Sequence, residues 1–212
     1  MTDNQQAIRD RILVAALAHV AFDGWTQRTL KAGVKDAGMS PDMALRAFAG
    51  GIPDLVDHWA DWADRRMLDD LAAQDLAAMR IRDRITAAVK ARLQVMAPHP
   101  EAARRLFAYL ALPPNAPLAA RLTWRTVDVM WYAAGDDASD FNYYTKRGLL
   151  APVYTTTALY WLADTSDGHA DTWAYLDRRI ADVMKVPAIM SRIKAALSSL
   201  PRPSRIFRRA RN

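Results

Sequence analysis

The chain has no cysteine among its 212 residues, which excludes disulfides, thiolate metal sites and cysteine nucleophiles. It has a single glutamate, Glu101. A di-iron carboxylate centre needs several glutamates and paired Glu-x-x-His motifs on facing helices, so this chain cannot build one. Its 8 glycines are scattered among many Ala, Leu, Met and Arg, and no alternating β-branched run occurs. That composition favours helix throughout. No apolar run approaches the ~20 residues that span a bilayer. P-loop, G-x-G-x-x-G and G-x-S-x-G patterns are absent. His19, His58, His99 and His169 share no metal-ligand spacing and read as surface or capping residues, so no metal site is expected. Asp136, Asp140 and Asp171 could be acid–base groups, but helix capping explains them better. Neither a catalytic set nor a cofactor is expected. The N-terminus is polar, mixed in charge and helically periodic from the start, so neither a signal peptide nor an Arg-rich transit peptide is expected.

What the chain does have is an asymmetry of charge. Residues 186–212 carry seven of the 29 basic residues and none of the 23 acidic ones. The rest of the chain is nearly balanced, so the whole +6 excess sits in this segment. Val186, Ile189, Met190, Ile193, Leu197 and Leu200 recur at spacings of three and four, which puts them on one helical face. Ser191, Arg192, Lys194, Ser198 and Ser199 occupy the other side. Five arginines follow in a stretch opened by two prolines, which forbid helix continuation. An apolar stripe with a cationic flank suits a helix lying in a membrane interface. The alternative is a last helix docked on its own core with a solvated tail. A docked helix gives no reason for seven unopposed cations. Membrane contact is therefore expected through Ile189, Met190, Ile193, Leu197 and Leu200, flanked by Arg192 and Lys194.

Punctuation divides the remainder. Helices are expected at 5–21, at 26–37 capped by Thr26, and at 41–49 with Ser40 as cap and Pro41 at its first position. Longer ones follow at 53–78, 80–97, 100–111, 116–134, 140–163 and 170–185, before the final amphipathic helix. At 51% apolar, the chain can bury a full core. Three units are expected: a helix-turn-helix-like module over 1–50, a helical domain over 51–185, and the amphipathic helix with basic tail over 186–212.

The three short N-terminal helices, with Phe48-Ala-Gly-Gly-Ile-Pro-Asp-Leu55 leading into a long one, resemble the start of TetR-type regulators. In those, the third helix enters the DNA major groove. Charge argues against that here. Residues 1–50 hold six basic residues and five aspartates, whereas DNA affinity rests on clustered cations. No nucleic-acid partner is expected, and a TetR-type repressor with a lipophilic effector is the alternative reading.

The most informative segment is GDDASDFNYYTKRGLL, residues 135–150. Ser139 or Asp140 caps a helix whose apolar stripe includes Phe141, Tyr144, Leu149, Val153, Tyr154 and Trp161. Aromatic, amide and guanidinium groups crowded into two turns suit a recognition surface. They also suit a capped helix whose tyrosines half-bury while Lys146 and Arg147 solvate.

The segment resembles the GDxSTDFNWYTKR signature of the ubiquinone biosynthesis accessory lipid-binding family, the CoQ-nine family. DGWT at 23–26, APHPEAARR at 97–105, ALPPNAP at 111–117, AAGD at 133–136 and DTWAYLDRRIADVM at 171–184 extend the resemblance from about Ile8 to Met184. Tyr143 stands where the family usually has Trp, Ala138-Ser139 replace Ser-Thr, and Pro152 replaces a small helix former and should kink its helix. The resemblance implies an all-α, TetR-like bundle that binds an isoprenoid or phospholipid between helices of its C-terminal domain. It also implies docking onto the di-iron hydroxylase acting late in ubiquinone synthesis, and a position on the membrane through a terminal amphipathic helix.

On that basis Leu106, Tyr109, Leu110, Trp124, Val127, Trp131, Tyr154 and Trp161 are candidate pocket walls. Arg147 is the candidate headgroup cation, since guanidinium grips phosphate with two parallel hydrogen bonds. Asp140, Asn142, Tyr143, Tyr144 and Lys146 are candidates for the partner surface. Tyr143 is expected to be the more exposed of the adjacent tyrosines, and Lys146, roughly 100° around the helix from Arg147, to solvate. A homodimer in the bacterial cytoplasm, peripheral on the inner membrane, completes the expectation.

Overall fold

The computed structural model describes the backbone of residues 3–136 and 141–199 and the side chains of 4–136 and 143–185. Helices α1 (Asp3–Asp23), α2 (Gln27–Asp36) and α3 (Met43–Ala47) open the chain. Then come α4 (Ile52–Ala72), α5 (Ile81–Met96), α6 (Pro100–Leu110), α7 (Ala116–Ala133), α8 (Phe141–Ala163) and α9 (Ala170–Ser199). Among the described residues there is no strand, and no helix is long and apolar enough to cross a membrane.

Each start and stop has a local cause. Thr26 Oγ1 accepts from the Thr29 N–H at 3.3 Å and caps α2, as expected. Gly33 lets α2 lie directly on α1: a Cβ there would meet Ala16 Cβ at 2.7 Å. Helix α3 is shorter than expected. Ser40-Pro41 forms a turn in which the Met43 N–H reaches the Ser40 carbonyl at 2.9 Å, and Asp42 rather than Ser40 takes the cap position. Asp164 ends the α8–α9 turn by accepting from both the N–H and hydroxyl of Thr172 and of Ser166. These donors hold its carboxyl well below the usual carboxylate range.

Two prolines lie inside helices. Helix α8 continues through Pro152, and the Thr156 hydroxyl donates to the Pro152 carbonyl at 2.7 Å. Helix α9 continues through Pro187, so the expected separation of 170–185 from a final helix is not present in the backbone. Proline removes one N–H from such a helix without supplying a terminating turn, and no glycine lies between Ala170 and Ser199.

Helix α1 packs on α2, α4 and α6, α4 on α5 and α7, and α7, α8 and α9 pack in sequence. Ile12, Leu13, Leu17, Leu55, Trp59, Met67, Leu93 and Met130 form one continuous, fully buried core. Two polar clips cross it. Asp64 on α4 accepts from Arg92 Nε at 2.7 Å and from the Thr126 hydroxyl at 3.0 Å, tying α4 to α5 and α7 in the interior. Asp10 on α1 binds His58 Nε2 at 2.7 Å and Arg65 Nη2 at 2.8 Å on α4. His58 is therefore not the surface residue expected from sequence: it is 3% exposed, on the buried face of α4. Its partner lies 48 residues away, outside any local spacing.

Candidate functional site

The signature segment forms the start of α8, and α7 supplies its counterpart. Trp124, Asp128 and Tyr132 recur every four residues on one face of α7. Across from them, Arg147 is buried, at 3% exposure. Its Nε donates to Asp128 Oδ1, and its Nη1 donates to Asp136 Oδ2 at 3.2 Å and to the Tyr143 carbonyl at 3.2 Å. Its guanidinium lies 3.5 Å from the Tyr143 ring centroid. The Tyr143 hydroxyl closes the group by donating to Asp128 at 3.0 Å. Lys146 Nζ donates to the other Asp136 oxygen at 2.6 Å and lies 5.5 Å from the Trp131 ring.

Three expectations are corrected here. Arg147 is not a cation at a pocket rim; it clamps α8 to α7, with its donors directed at two carboxylates. Lys146 is not merely solvated, because Asp136 draws it in. Asp136 is not a cap but the shared acceptor of both cations. The tyrosine pair is reversed as well. Tyr143 is held under Arg147 and by Asp128, while Tyr144 is 63% exposed. Trp124, also exposed, lies 6.2 Å from Tyr144 and 6.4 Å from Tyr143 between ring centroids. Tyr143 and Tyr144 meet edge-on at 5.0 Å. Trp124 and Tyr144 thus form an exposed aromatic patch beside ion pairs centred on buried Arg147 and Asp136, with Tyr132 exposed two turns along α7. Asp140 and the Asn142 side chain lie outside the described residues.

The candidate pocket walls divide between the core and the surface. Leu106, Val127, Trp131, Tyr154 and Trp161 are buried, Tyr109 and Leu110 half-buried, and Trp124 faces outward. Tyr154 sits near Arg92 and Asp64, and burial pushes its phenol up despite the opposing guanidinium. Trp161 stacks on His169 at 5.4 Å. Trp131 lines a crevice between α5, α7, α8 and α9, of about 20 Å³, together with Ile85, Leu150, Val153, Ile180 and Val183. Those five were missed because each reads as ordinary core on its own helix. Asp128 and Tyr132 had a usable signal, their four-residue spacing from Trp124. The membrane-contact side chains Ile189, Met190, Arg192, Ile193, Lys194, Leu197 and Leu200 lie outside the described residues.

Residues 116–187, covering α7, α8 and the first part of α9, match the profile of the COQ9 family. The ubiquinone biosynthesis protein COQ9, mitochondrial, of Rattus norvegicus is 33% identical over 205 residues, 93% of this chain and 65% of that protein. The Homo sapiens protein of the same name is 32% identical, over 93% of this chain and 64% of its own length. The COQ9-B protein of Xenopus laevis is 31% identical, over 90% and 67%. The chain thus spans just under two thirds of the rat and human proteins. All three carry mitochondrial names, which overturns the expected bacterial cytoplasm and points to a mitochondrial location instead. In fold, the chain is similar to a TetR transcriptional regulator from Nitrosomonas europaea, with a TM-score of 0.68 at 21% identity over 84% of this chain and 98% of the regulator. A Rhodococcus regulator gives 0.62 at 16% identity, over 85% and 97%. The all-α, TetR-like architecture therefore stands. Aligned with these relatives along nearly its whole length, the chain belongs to the COQ9 family.

Proposed function

We propose that the chain is a non-catalytic accessory protein of ubiquinone biosynthesis that binds an isoprenoid or phospholipid. At a mitochondrial membrane surface it presents that lipid to the di-iron hydroxylase of the pathway. The observation that carries this reading is the exposed Trp124–Tyr144 patch, held in place by the Arg147–Asp128–Asp136 clamp within the family's signature segment. Aromatic side chains offered to solvent on a rigid base suit a docking surface, where they dominate binding energy. Lipid enters at the crevice around Trp131, with half-exposed Met184 at its edge. At about 20 Å³ the crevice must widen to take a chain. Phe107, Leu159 and Leu162 line an apolar strip on α6 and α8 that we read as the homodimer face.

Native mass spectrometry of the purified protein, with identification of co-purified lipids, tests the lipid reading. An isoprenoid or phospholipid adduct is expected, reduced by Val183→Asp in the crevice. Protein free of lipid, or an adduct indifferent to that substitution, overturns it.

A further inference from the structure

A much roomier cavity lies in the N-terminal module, away from the signature segment. It is an apolar groove of about 770 Å³ between α2, α3 and the turn that leads into α4. Its volume falls within the roughly 300–1,000 Å³ typical of small-ligand sites. Leu30, Val34, Met39, Ala44, Leu45 and Phe48 form its walls and floor. The groove runs beside α3, which has only five residues, and its floor is the buried apolar face of α2, where Leu30 and Val34 belong to the core. Its floor is fixed: the Phe48 ring lies 4.7 Å from the Arg9 guanidinium and 5.7 Å from the His58 ring. Leu45 stands 76% exposed on the wall, an apolar surface left to water.

The charge of the groove is one-sided. Lys31 and Lys35 line it, one helical turn apart on the same face of α2. No acidic residue lines it. Both lysines are exposed, and neither forms an ion pair among the described residues. The cationic tail of this chain is a poor occupant, since its seven basic residues would meet these two. Duplex DNA would neutralise the lysines but leave the apolar walls unused.

We infer that the groove between α2 and α3 binds a single-chain amphiphile with an anionic head, the chain lying against exposed Leu45 over the buried floor of Leu30, Val34 and Phe48 and the head meeting Lys31 and Lys35. This site is separate from the crevice at Trp131. The probe is cis-parinaric acid, titrated by fluorescence into the delipidated full chain and displaced by oleate or by oleyl alcohol. Saturable binding is expected, with oleate displacing at least tenfold better than the alcohol. Leu45→Asp and the pair Lys31→Glu/Lys35→Glu should each weaken binding at least tenfold with the thermal transition intact. Both substitutions are at exposed positions. Equal displacement by acid and alcohol, or affinity unchanged in both variants, overturns the inference. So does loss of binding in Val183→Asp with the groove variants unaffected, because the probe then occupies the crevice.

Discussion

Arg147 and Asp136 meet at 3.2 Å with both side chains almost wholly buried, at 3% and 6% exposure. Asp128 approaches the same guanidinium from its 40% exposed position on α7. One cation thus joins two helices through two carboxylates. Removing it leaves Asp136 buried with only Lys146 and its remaining contacts to answer its charge.

Arg147→Ala should therefore destabilise the protein by about 3–5 kcal/mol, the cost of stranding a buried charge. Urea denaturation followed by far-UV circular dichroism measures it. Arg147→Lys should recover only part of the loss, since an ammonium cannot reach both carboxylates with a planar fork. Unchanged stability with reduced co-purifying lipid would return Arg147 to a headgroup role.

The adjacent tyrosines should separate docking from folding. Tyr144→Ala should weaken capture of the hydroxylase by ~2 kcal/mol or more, roughly 30-fold, with an unchanged thermal transition. Tyr143→Ala should lower the thermal transition instead, because it removes the donor to Asp128 and the ring beneath Arg147. Quantitative pull-down beside calorimetry checks both. Full capture by Tyr144→Ala and by Trp124→Ala would move the docking surface elsewhere.

His58 gives the fold a pH dependence. Burial lowers its pKa, the Arg9 guanidinium adds to the shift, and Asp10 opposes without prevailing. The folded state therefore binds fewer protons than the unfolded state, whose histidine titrates at ~6.5. The resulting stability is fully present above about pH 6.5 and is lost as pH falls through the depressed folded value. Urea midpoints between pH 7 and 5 should fall in the native chain and flatten in His58→Gln. Equal slopes in the two proteins would show that His58 does not titrate on unfolding.

Removing residues 186–212 should abolish sedimentation with anionic liposomes. Charge attraction is screened over ~8–10 Å at physiological salt whereas apolar insertion is not. Added salt should therefore weaken binding of the full chain only in part, and neutral liposomes should bind less. A truncated protein that pellets like the full chain would leave the tail without a membrane role.

Much of this was legible one residue at a time. Scattered glycines and the absence of alternating β-branched runs pointed to an all-helical fold, Thr26 announced its own cap, and the charge count located the whole net positive excess in the last 27 residues. Helical spacing also told which residues share a face: Tyr143 and Tyr144 could not point the same way. It could not tell which of them faced water. That depended on Asp128, 15 residues earlier on another helix, and on Arg147 lying across the Tyr143 ring. The same holds for His58, decided by Asp10 at a separation of 48, and for the groove between α2 and α3, whose lining comes from both helices and the turns beside them. Periodicity is a property of one helix. The partner of a buried charge is set by how two helices pack, so only the tertiary structure decided which polar side chains bind, which clamp and which are left to solvent.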